Sequence, residues 1–394
     1  MKKGYLFSLR GVYVLDKIII EGGRRLCGEI EVHGSKNSAL PILAATVLTG
    51  DKCEIHNCPA LSDVDAAIQI LRHLGCKVMR DGHTVEVDSS VITISEIPDD
   101  LMREMRSSIV FLGAVLARTG KAEISSPGGC EIGLRPIDLH LSSMRKLGAE
   151  ITEEHGRLYC SLGKCLHGAD ITLSFPSVGA TENIMIAAAA AGGTTVITNA
   201  AREPEISDLA DFLNGCGAKI SGAGDSTVVI EGTKKLHGTC HTVIPDRIEA
   251  SSYLIAASAT GGRICIKDVI PAHIGALIPV LSEAGCDITT SGRWICLSAP
   301  PRLKRGKMIR TMPYPGFPTD AQAIVGAMLS VADGTSVIIE NIFESRFKHV
   351  TELMRLGAKI SVEGRMAVIE GSKYLTGANV VAPDLRGGFA LITA

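Results

Sequence analysis

The chain has 394 residues, of which 46% are hydrophobic and 21% are charged. This length exceeds what a single hydrophobic core usually holds, so we expect two or three domains with large buried cores. The formal net charge of −2 excludes a general electrostatic attraction to nucleic acid or to an anionic membrane. No apolar run approaches the roughly eighteen residues of a membrane span, so we expect no membrane insertion.

The N-terminal residues 1–16, MKKGYLFSLRGVYVLD, faintly resemble a signal peptide. Arg10 and Asp16 interrupt the apolar stretch, however, and no small-residue cleavage site follows. We therefore predict a short extension, or a misplaced start, before a first strand at residues 17–21.

Five segments of about 70 residues repeat one order of elements. Each begins with an alanine-rich apolar helix that ends at a glycine, followed by a β-rich run, a second helix, a strand and a hairpin. A sixth unit opens at DLRGGFALITA, where the sequence ends, so we expect a truncated sixth repeat. The predicted first helices are 39–48, 107–117, 182–191, 251–259 and 321–331, and the glycines predicted to end them are Gly50, Gly120, Gly192, Gly261 and Gly334.

The first helix of each unit is apolar on nearly all sides, so it has to be buried. This favours helices inside and sheets outside. Three such units could close one pseudo-threefold domain, and the chain would then form two α/β domains with a cleft between them.

Twelve cysteines are scattered along the chain, with no CxxC pair and no Cys/His spacing typical of zinc sites. Many of them stand where a small apolar residue would serve, as Cys76 and Cys286 do. We therefore expect reduced thiols in a cytoplasmic protein.

Cys130 is the cysteine with the most unusual surroundings, SSPGGCEIGLRPIDLH at residues 125–140. Proline and two glycines make this segment a loop, and Arg135 follows five residues later. A nearby guanidinium lowers the pKa of a thiol, so Cys130 could act as a reactive acid or nucleophile. The alternative is one more cysteine without a chemical role.

Lys36 and Asn37 lie in the turn between a strand and the first apolar helix. A lysine beside free backbone N–H groups at a helix start favours a phosphate or a carboxylate. A solvated lysine next to an N-cap would have the same spacing, and this alternative stays open.

Further charged residues recur just before the first helix of the other units. If these helix starts meet at the cleft, several basic groups would bind a small, highly charged anion, and an aspartate could accept a proton from a hydroxyl. Helix capping is the alternative explanation. The residues are Arg103, Arg106, Asp246, Arg247, Glu249, Asp320, Asp384 and Arg386.

Residues 200–208, AAREPEISD, place Arg202, Glu203 and Glu205 after a strand. These charges could stabilise a contact between domains or cap the next helix. We favour a structural role.

Taken together, nine motifs resemble the UDP-N-acetylglucosamine 1-carboxyvinyltransferases, the enolpyruvyl transferases of the first committed step of peptidoglycan synthesis. The resemblance runs in order from about residue 17 to the end. The motifs are GSKNSALP, MRSS, PGGCEIGLRPIDLH, PSVGAT, NAAREPEI, PDRIEASSYL, FPTDAQA, FESRF and DLR.

This resemblance implies two inside-out α/β barrel domains of three repeats each, with domain one at 36–243 and domain two at 17–35 plus 244–394. It implies transfer of the enolpyruvyl group of phosphoenolpyruvate to the 3′-hydroxyl of UDP-N-acetylglucosamine. No metal or redox cofactor is implied.

The resemblance also implies roles for individual residues. Cys130 would protonate the methylene carbon, and Asp320 would accept the proton of the sugar hydroxyl. Lys36, Arg135 and Arg386 would hold the phosphate and carboxylate of phosphoenolpyruvate, with Arg106 at the same cleft. The remaining implied substrate contacts are Asn37, Pro136, Ile137, Asp138, Leu139, Ser177, Val178, Gly179 and Ile342.

Two alternatives remain at this point. The shikimate-pathway enolpyruvyl transferase has the same fold and donor, but the PGGC loop and the PSVGAT segment speak against it. The second alternative is a catalytically inactive paralogue that binds UDP-sugar. The expected truncation favours it, because the family has a further donor-contacting arginine in its sixth repeat, whereas the presence of Lys36, Cys130 and Asp320 opposes it.

Overall fold

The computed structural model describes residues 17–125 and 137–394, together with the backbone of the short strand β1, Lys3–Gly4. The predicted first strand at 17–21 is shorter than expected: β2 is Lys17–Ile18 and pairs with β1. Ile19 and Ile20 are largely exposed, so the end of this apolar run has no buried face. The longer strand β3, Cys27–Glu31, was not predicted.

Five four-stranded sheets share one topology, in which a parallel pair of strands is followed by two antiparallel neighbours. The five sheets match the five predicted units in number. In spatial order, with strands numbered along the chain, they are β15 (Cys240–Thr242), β4 (Lys52–His56), β6 (Thr84–Asp88) and β5 (Lys77–Asp81); β7 (Glu96–Ile97), β8 (Lys121–Ser125), β10 (Arg157–Leu162) and β9 (Ala149–Glu154); β11 (Asp170–Thr172), β12 (Thr194–Thr198), β14 (Thr227–Glu231) and β13 (Lys219–Ser221); β3, β16 (Arg263–Lys267), β18 (Trp294–Ser298) and β17 (Asp287–Ser291); and β19 (Ile309–Arg310), β20 (Thr335–Ile339), β22 (Met366–Glu370) and β21 (Lys359–Glu363).

Two of these sheets take their edge strand from a distant part of the chain. β15 follows the third unit but pairs with β4 of the first, with Cys240 opposite Glu54. β3 precedes the first unit but pairs with β16 of the fourth, with Glu29 opposite Cys265. The strand that follows the third unit therefore completes the sheet of the first. β3, which precedes the first unit, completes the sheet of the fourth.

The apolar helices are buried, as predicted from their composition. In α1 every residue from 38 to 45 is buried, and in α10 every residue from 321 to 329. α1, α4 and α6 pack against each other, and so do α8, α10 and α12. These helices are α1 (Lys36–Ala45), α4 (Phe111–Thr119), α6 (Val178–Ala189), α8 (Arg247–Ala259), α10 (Thr319–Leu329) and α12 (Leu385–Thr393).

The remaining helices are shorter or amphipathic and lie between the strands of each unit. α2 buries Val64, Ile68 and Leu71 while its charged residues face outward, which is the pattern of a helix covering a core. In the part of the chain that the structure describes, no helix is long and apolar enough to cross a membrane. The remaining helices are α2 (Ser62–His73), α3 (Asp99–Glu104), α5 (Asp138–Lys146), α7 (Pro204–Gly215), α9 (Leu277–Glu283) and α11 (His349–Arg355), with 3₁₀ helices at Thr46–Leu48, Arg106–Val110 and Pro271–Ile274.

Two of the predicted helix-ending glycines are wrong. Gly334 has the expected positive φ but lies four residues beyond Ser330, the C-cap of α10. Gly50, Gly120 and Gly261 have the expected positive φ, but Gly192 does not. Its N–H donates to the carbonyl of Leu166, and its own carbonyl accepts from Gly168, so it belongs to strand-like pairing. The next residue, Gly193, takes the left-handed conformation with φ of 91°.

Buried apolar side chains form two separate clusters. The first contains residues from Ala39 to Val243. The second contains Val32 and residues from Ala250 to Leu391. Each cluster includes three of the packed helices described above, so a large core forms around each group of three.

The expectation of reduced thiols is wrong at one place, because Cys265 and Cys296 form a disulfide. They lie directly opposite each other on the antiparallel strands β16 and β18. Their separation of 31 residues gives no hint of this in the sequence. The other nine cysteines in the described ranges are free.

The packing of α4 on α6 requires glycine at position 113. The Gly113 N–H donates to Asn183 Oδ1 at 2.7 Å, and the Asn183 amide donates to the carbonyl of Ile109. A Cβ at Gly113 would lie 2.4 Å from Asn183 Oδ1 and 2.7 Å from its backbone oxygen. The close approach of these helices therefore excludes any side chain.

We predict that Gly113→Ala lowers the free energy of unfolding by about 1–3 kcal/mol, the usual cost of overpacking a core. Gly326→Ala is the matched control, since a Cβ at this buried glycine of α10 would meet its nearest atoms at 3.9 Å. The control should be as stable as the parent or slightly more so, because alanine is the better helix former. Urea unfolding measures both, and equal stabilities for the two variants would contradict the packing described.

Glu182 is a buried acid in α6, with 5% of the residue exposed. Burial raises its pKa to about 8, and the nearby carboxylates of Glu205 and Glu203 add to this shift. Because the unfolded chain loses this proton near pH 4.3, Glu182 makes folding less favourable as the pH rises from that value to about 8.

Replacing Glu182 with glutamine should remove this pH dependence. We predict that Glu182→Gln gains about 2–4 kcal/mol of stability relative to the parent between pH 5 and pH 8. Glu231→Gln, at a 60% exposed side chain, should show no such gain. Unfolding curves at the two pH values test this, and parallel changes in both variants would refute the assignment.

Candidate active site

Asp320 lies in the first turn of α10 between two arginines. Its Oδ1 accepts hydrogen bonds from Arg386 Nε at 2.9 Å and from Arg346 Nη2 at 3.3 Å. Burial alone would raise the pKa of Asp320, but the two guanidiniums outweigh it and hold the pKa well below its usual range. The N-cap of α10 is Pro318, so helix capping does not explain Asp320.

Arg386 is directed at Asp320 by the start of α12. Asp384 is the N-cap of this helix, and its Oδ1 accepts from the N–H groups of Arg386 and Gly387. α10 and α12 pack against each other, which brings together two predicted site residues that are 66 positions apart.

Arg346 was not among the predicted site residues, although its motif FESRF was recognised. Only 4% of its side chain is exposed. Its Nη2 also lies 3.4 Å from the carbonyl of Thr319, and its guanidinium lies 5.8 Å from the ring centre of Phe343. Each guanidinium carries five N–H groups, more than one carboxylate can accept, which suits a further anionic ligand.

Glu340, which sequence reasoning also missed, ties the predicted residue Ile342 to α10. It is 1% exposed, and its Oε1 accepts from the N–H groups of Ile342 and Phe343 at 2.8 and 3.0 Å. Its Oε2 accepts from the Thr319 hydroxyl at 2.9 Å. The segment of Ile342 is thereby fixed beside the helix start that holds Asp320.

Arg247, at the start of α8, joins the two apolar clusters. Its Nε donates to both carboxylate oxygens of Glu205 at 3.0 and 3.2 Å, with 10% and 2% of the two side chains exposed. The guanidinium lies 5.7 Å from the ring centre of Tyr314, whose N–H donates to Glu203. Residues 200–208 therefore have the structural role that we favoured, at the contact between the clusters.

Lys36 begins α1, three residues before the predicted start of this helix at 39, and has a carboxylate partner. Its Nζ donates to Asp63 Oδ2 at 2.8 Å, and 24% of the side chain is exposed. Lys36 is therefore paired rather than fully solvated, and its role toward an anion stays a prediction. Asn37 follows it in the same first turn and is partly buried.

His140 joins the starts of α5 and α6. Burial, together with the charge of Arg106, lowers its pKa to about 4, so the ring is neutral at pH 7. Its Nδ1 can then accept the hydrogen bond from the Asn183 amide at 3.0 Å. The ring also fills the space beside Gly179, where a Cβ would come within 3.3 Å.

The remaining predicted substrate residues in the described ranges lie at these two helix starts. Ile137 is the N-cap of α5, and Ser177 is the N-cap of α6, where its hydroxyl accepts from the Ala180 N–H. Helix starts present positive dipole ends and free N–H groups. The six residues are Ile137, Asp138, Leu139, Ser177, Val178 and Gly179. Cys130, Arg135 and Pro136 lie outside the described residues.

Comparison with known proteins identifies the family of this chain. Residues 20–394 match the family described as EPSP synthase (3-phosphoshikimate 1-carboxyvinyltransferase). A UDP-N-acetylglucosamine 1-carboxyvinyltransferase 2 of Caldanaerobacter subterraneus subsp. tengcongensis is 55% identical over 96% of this chain and 91% of its own length. UDP-N-acetylglucosamine 1-carboxyvinyltransferase 1 of Symbiobacterium thermophilum is 50% identical over 96% of this chain and 87% of its own.

Solved structures show the same fold. The enolpyruvyl transferase NikO of Streptomyces tendae superposes with a TM-score of 0.84 over 95% of this chain and 89% of its own, at 24% identity. An EPSP synthase of Acinetobacter baumannii gives a TM-score of 0.71 over 91% of this chain and 84% of its own, at 18% identity. The predicted mixed α/β fold is thus confirmed. With the identity to its relatives, this places the chain in the enolpyruvyl transferase family, among the UDP-N-acetylglucosamine 1-carboxyvinyltransferases.

Proposed function

We propose that this protein transfers the enolpyruvyl group of phosphoenolpyruvate to the 3′-hydroxyl of UDP-N-acetylglucosamine and releases phosphate, the first committed step of peptidoglycan synthesis. The observation on which this mainly rests is the carboxylate of Asp320 held between Arg386 and Arg346. It combines a proton acceptor with two guanidiniums that can bind anionic groups, as transfer from a doubly anionic donor to a hydroxyl requires.

The low pKa of Asp320 makes it a weak base as long as both arginines face it. The phosphate or carboxylate of phosphoenolpyruvate would compete with Asp320 for Arg386. As this guanidinium turns to the donor, its effect on Asp320 falls and the pKa of the carboxyl rises toward its ordinary value. Binding of the donor would thereby prepare Asp320 to accept the proton of the sugar hydroxyl.

The chemistry proceeds by addition and elimination. The sugar oxygen bonds to C2 of phosphoenolpyruvate while Cys130 gives its proton to C3, and Asp320 takes the hydroxyl proton. The tetrahedral intermediate then loses phosphate, the Cys130 thiolate takes back one C3 proton, and the double bond is restored. The proton held by Asp320 leaves with the phosphate. Lys36 and Arg135, with Arg386, would stabilise the charge of the intermediate. No electron transfer occurs, so no redox cofactor is needed for this reaction, and the family resemblance implies no metal.

The UDP portion would lie along the starts of α5 and α6. The positive ends of two adjacent helices suit a diphosphate, and the neutral ring of His140 keeps the helices together. The proposed contacts are Asn37, Arg106, Pro136, Ile137, Asp138, Leu139, Ser177, Val178, Gly179 and Ile342.

We further propose two inside-out barrel domains, each with helices inside and sheets outside. Domain one would span 36–243, and domain two 17–35 plus 244–394, where α12 opens the sixth unit. The two apolar clusters and the pairing of β3 with β16 support these boundaries. The Glu205–Arg247 pair would then lie where the domains meet, beside the cleft. We expect this enzyme in the cytoplasm.

The experiment that tests the function is phosphate release from phosphoenolpyruvate with alternative acceptors. We predict release with UDP-N-acetylglucosamine and none with shikimate 3-phosphate. Cys130→Ser should abolish it, whereas Cys165→Ser, at an exposed cysteine elsewhere, should retain it. Release only with shikimate 3-phosphate, or none from monodisperse protein, would favour one of the two alternatives.

The role of Asp320 has its own test. We predict that Asp320→Asn lowers kcat by about 10²–10⁴-fold, the usual contribution of a general base, while binding of UDP-N-acetylglucosamine is largely kept. Asp333→Asn is the control, since Asp333 pairs with Arg302 at 3.1 Å but is 70% exposed. Steady-state kinetics and calorimetric binding measure both. A kcat within threefold of the parent would exclude Asp320 as the base.

A further inference from the structure

Three possible metal ligands of different chemistry meet on the outer face of the first sheet. A carboxylate oxygen of Glu54, a ring nitrogen of His56 and the sulfur of Cys240 all lie within 4.8 Å of one another. None of these residues belongs to the proposed active site. We propose that they bind one thiophilic divalent cation, for which Zn²⁺ is the best match.

The strand register brings these residues together. Side chains alternate along β4, so Glu54 and His56 share the outer face while Cys53 and Ile55 point into the core. Cys240 of β15 is the parallel partner of Glu54. Neighbouring strands lie about 4.8 Å apart, which is a distance that one metal ion can bridge after small side-chain rotations.

The type of ligands selects the metal. Sulfur, imidazole and carboxylate together are typical of zinc, whereas Mg²⁺ and Ca²⁺ prefer oxygen ligands alone. A thiolate and a carboxylate would neutralise the charge of Zn²⁺, with the imidazole as a neutral third ligand. The site is open to solvent, since Cys240 is exposed and 46% of the Glu54 side chain is accessible. Water can therefore take the fourth position.

Neighbouring residues favour this geometry. His56 Nδ1 lies 3.1 Å from the hydroxyl oxygen of Thr84, a suitable acceptor for an Nδ1–H. In that tautomer Nε2 keeps its lone pair, and it faces Glu54 Oε1 at 3.6 Å. A hydrogen bond on the second ring nitrogen is the usual support of a metal-binding histidine. The nearby ammonium of Lys52 is paired with Glu86.

The bound metal would fasten the edge strand β15 to β4. β15 is only three residues long, and the chain passes from it directly to the start of α8. A metal bond across this short pairing would strengthen the closure of the first three units. We therefore assign the site a structural effect and expect the enolpyruvyl transfer to proceed without it.

Zinc titration of the untagged, metal-free full chain, without thiol reductants, tests this proposal. In competition with a chromophoric chelator, the parent should bind one Zn²⁺ at this site. Cys240→Ser and His56→Ala should each lose that equivalent, whereas Cys165→Ser, at another exposed cysteine, should keep it. Thr84→Val should bind about tenfold more weakly, the cost of losing a supporting hydrogen bond.

Cobalt identifies the sulfur ligand independently. Co²⁺ bound to the parent should show thiolate-to-metal charge transfer in the near ultraviolet, and Cys240→Ser should lack it. Failure of the parent to bind Zn²⁺, or equal binding by the parent and Cys240→Ser, would overturn the proposal. Circular dichroism shows that each variant is folded, so a loss of binding is not a loss of structure.

Discussion

The core helices of this protein have almost no polar face, and most of its other features follow from this constraint. Such helices can be buried only among each other and under sheets, which requires small residues where they touch, as at Gly113. Charged groups are excluded from most of the helix length and gather at the first turns. Asp320, Arg386 and Lys36 all occupy such positions. The proposed active site therefore lies where the buried helices begin.

Two groups of charged residues lie at these helix starts, and they differ in how far they are buried. Glu205 and Arg247 form a nearly dry pair that holds the two clusters together. Asp320, in contrast, faces two guanidiniums and remains 31% exposed. The first pair is complete and structural, since breaking it would leave a buried charge alone. The second group is open to solvent at Asp320, so a ligand can reach it.

Features that repeat locally along the chain could be predicted from the sequence. Features that depend on contacts between distant residues could not. The burial of the apolar helices and the order of elements within each unit could be predicted from hydrophobic periodicity and glycine spacing. The same patterns placed Lys36 near the start of a helix. Gly192 was misjudged because its backbone pairs with residues 166–168. The Cys265–Cys296 bond was missed because the two cysteines face each other only through the register of two paired strands. Arg346 and Glu340 could have been noted as charges in apolar surroundings, but their partners are invisible in one sequence. The cluster at Cys240 has the same origin, since Glu54 and His56 belong to the first unit and Cys240 follows the third.

The edge strands β15 and β3 are distant in sequence from the sheets that they complete, and this affects when the protein can fold during synthesis. The first sheet lacks its edge until residues 240–242 leave the ribosome, although its other three strands end at Asp88. β3 emerges early and has to wait for Arg263–Lys267. Until then, the unpaired edge of β4 and the unpaired strand β3 can both form hydrogen bonds with wrong strands. Translation speed and chaperones should therefore affect the yield of this chain more than its final stability suggests.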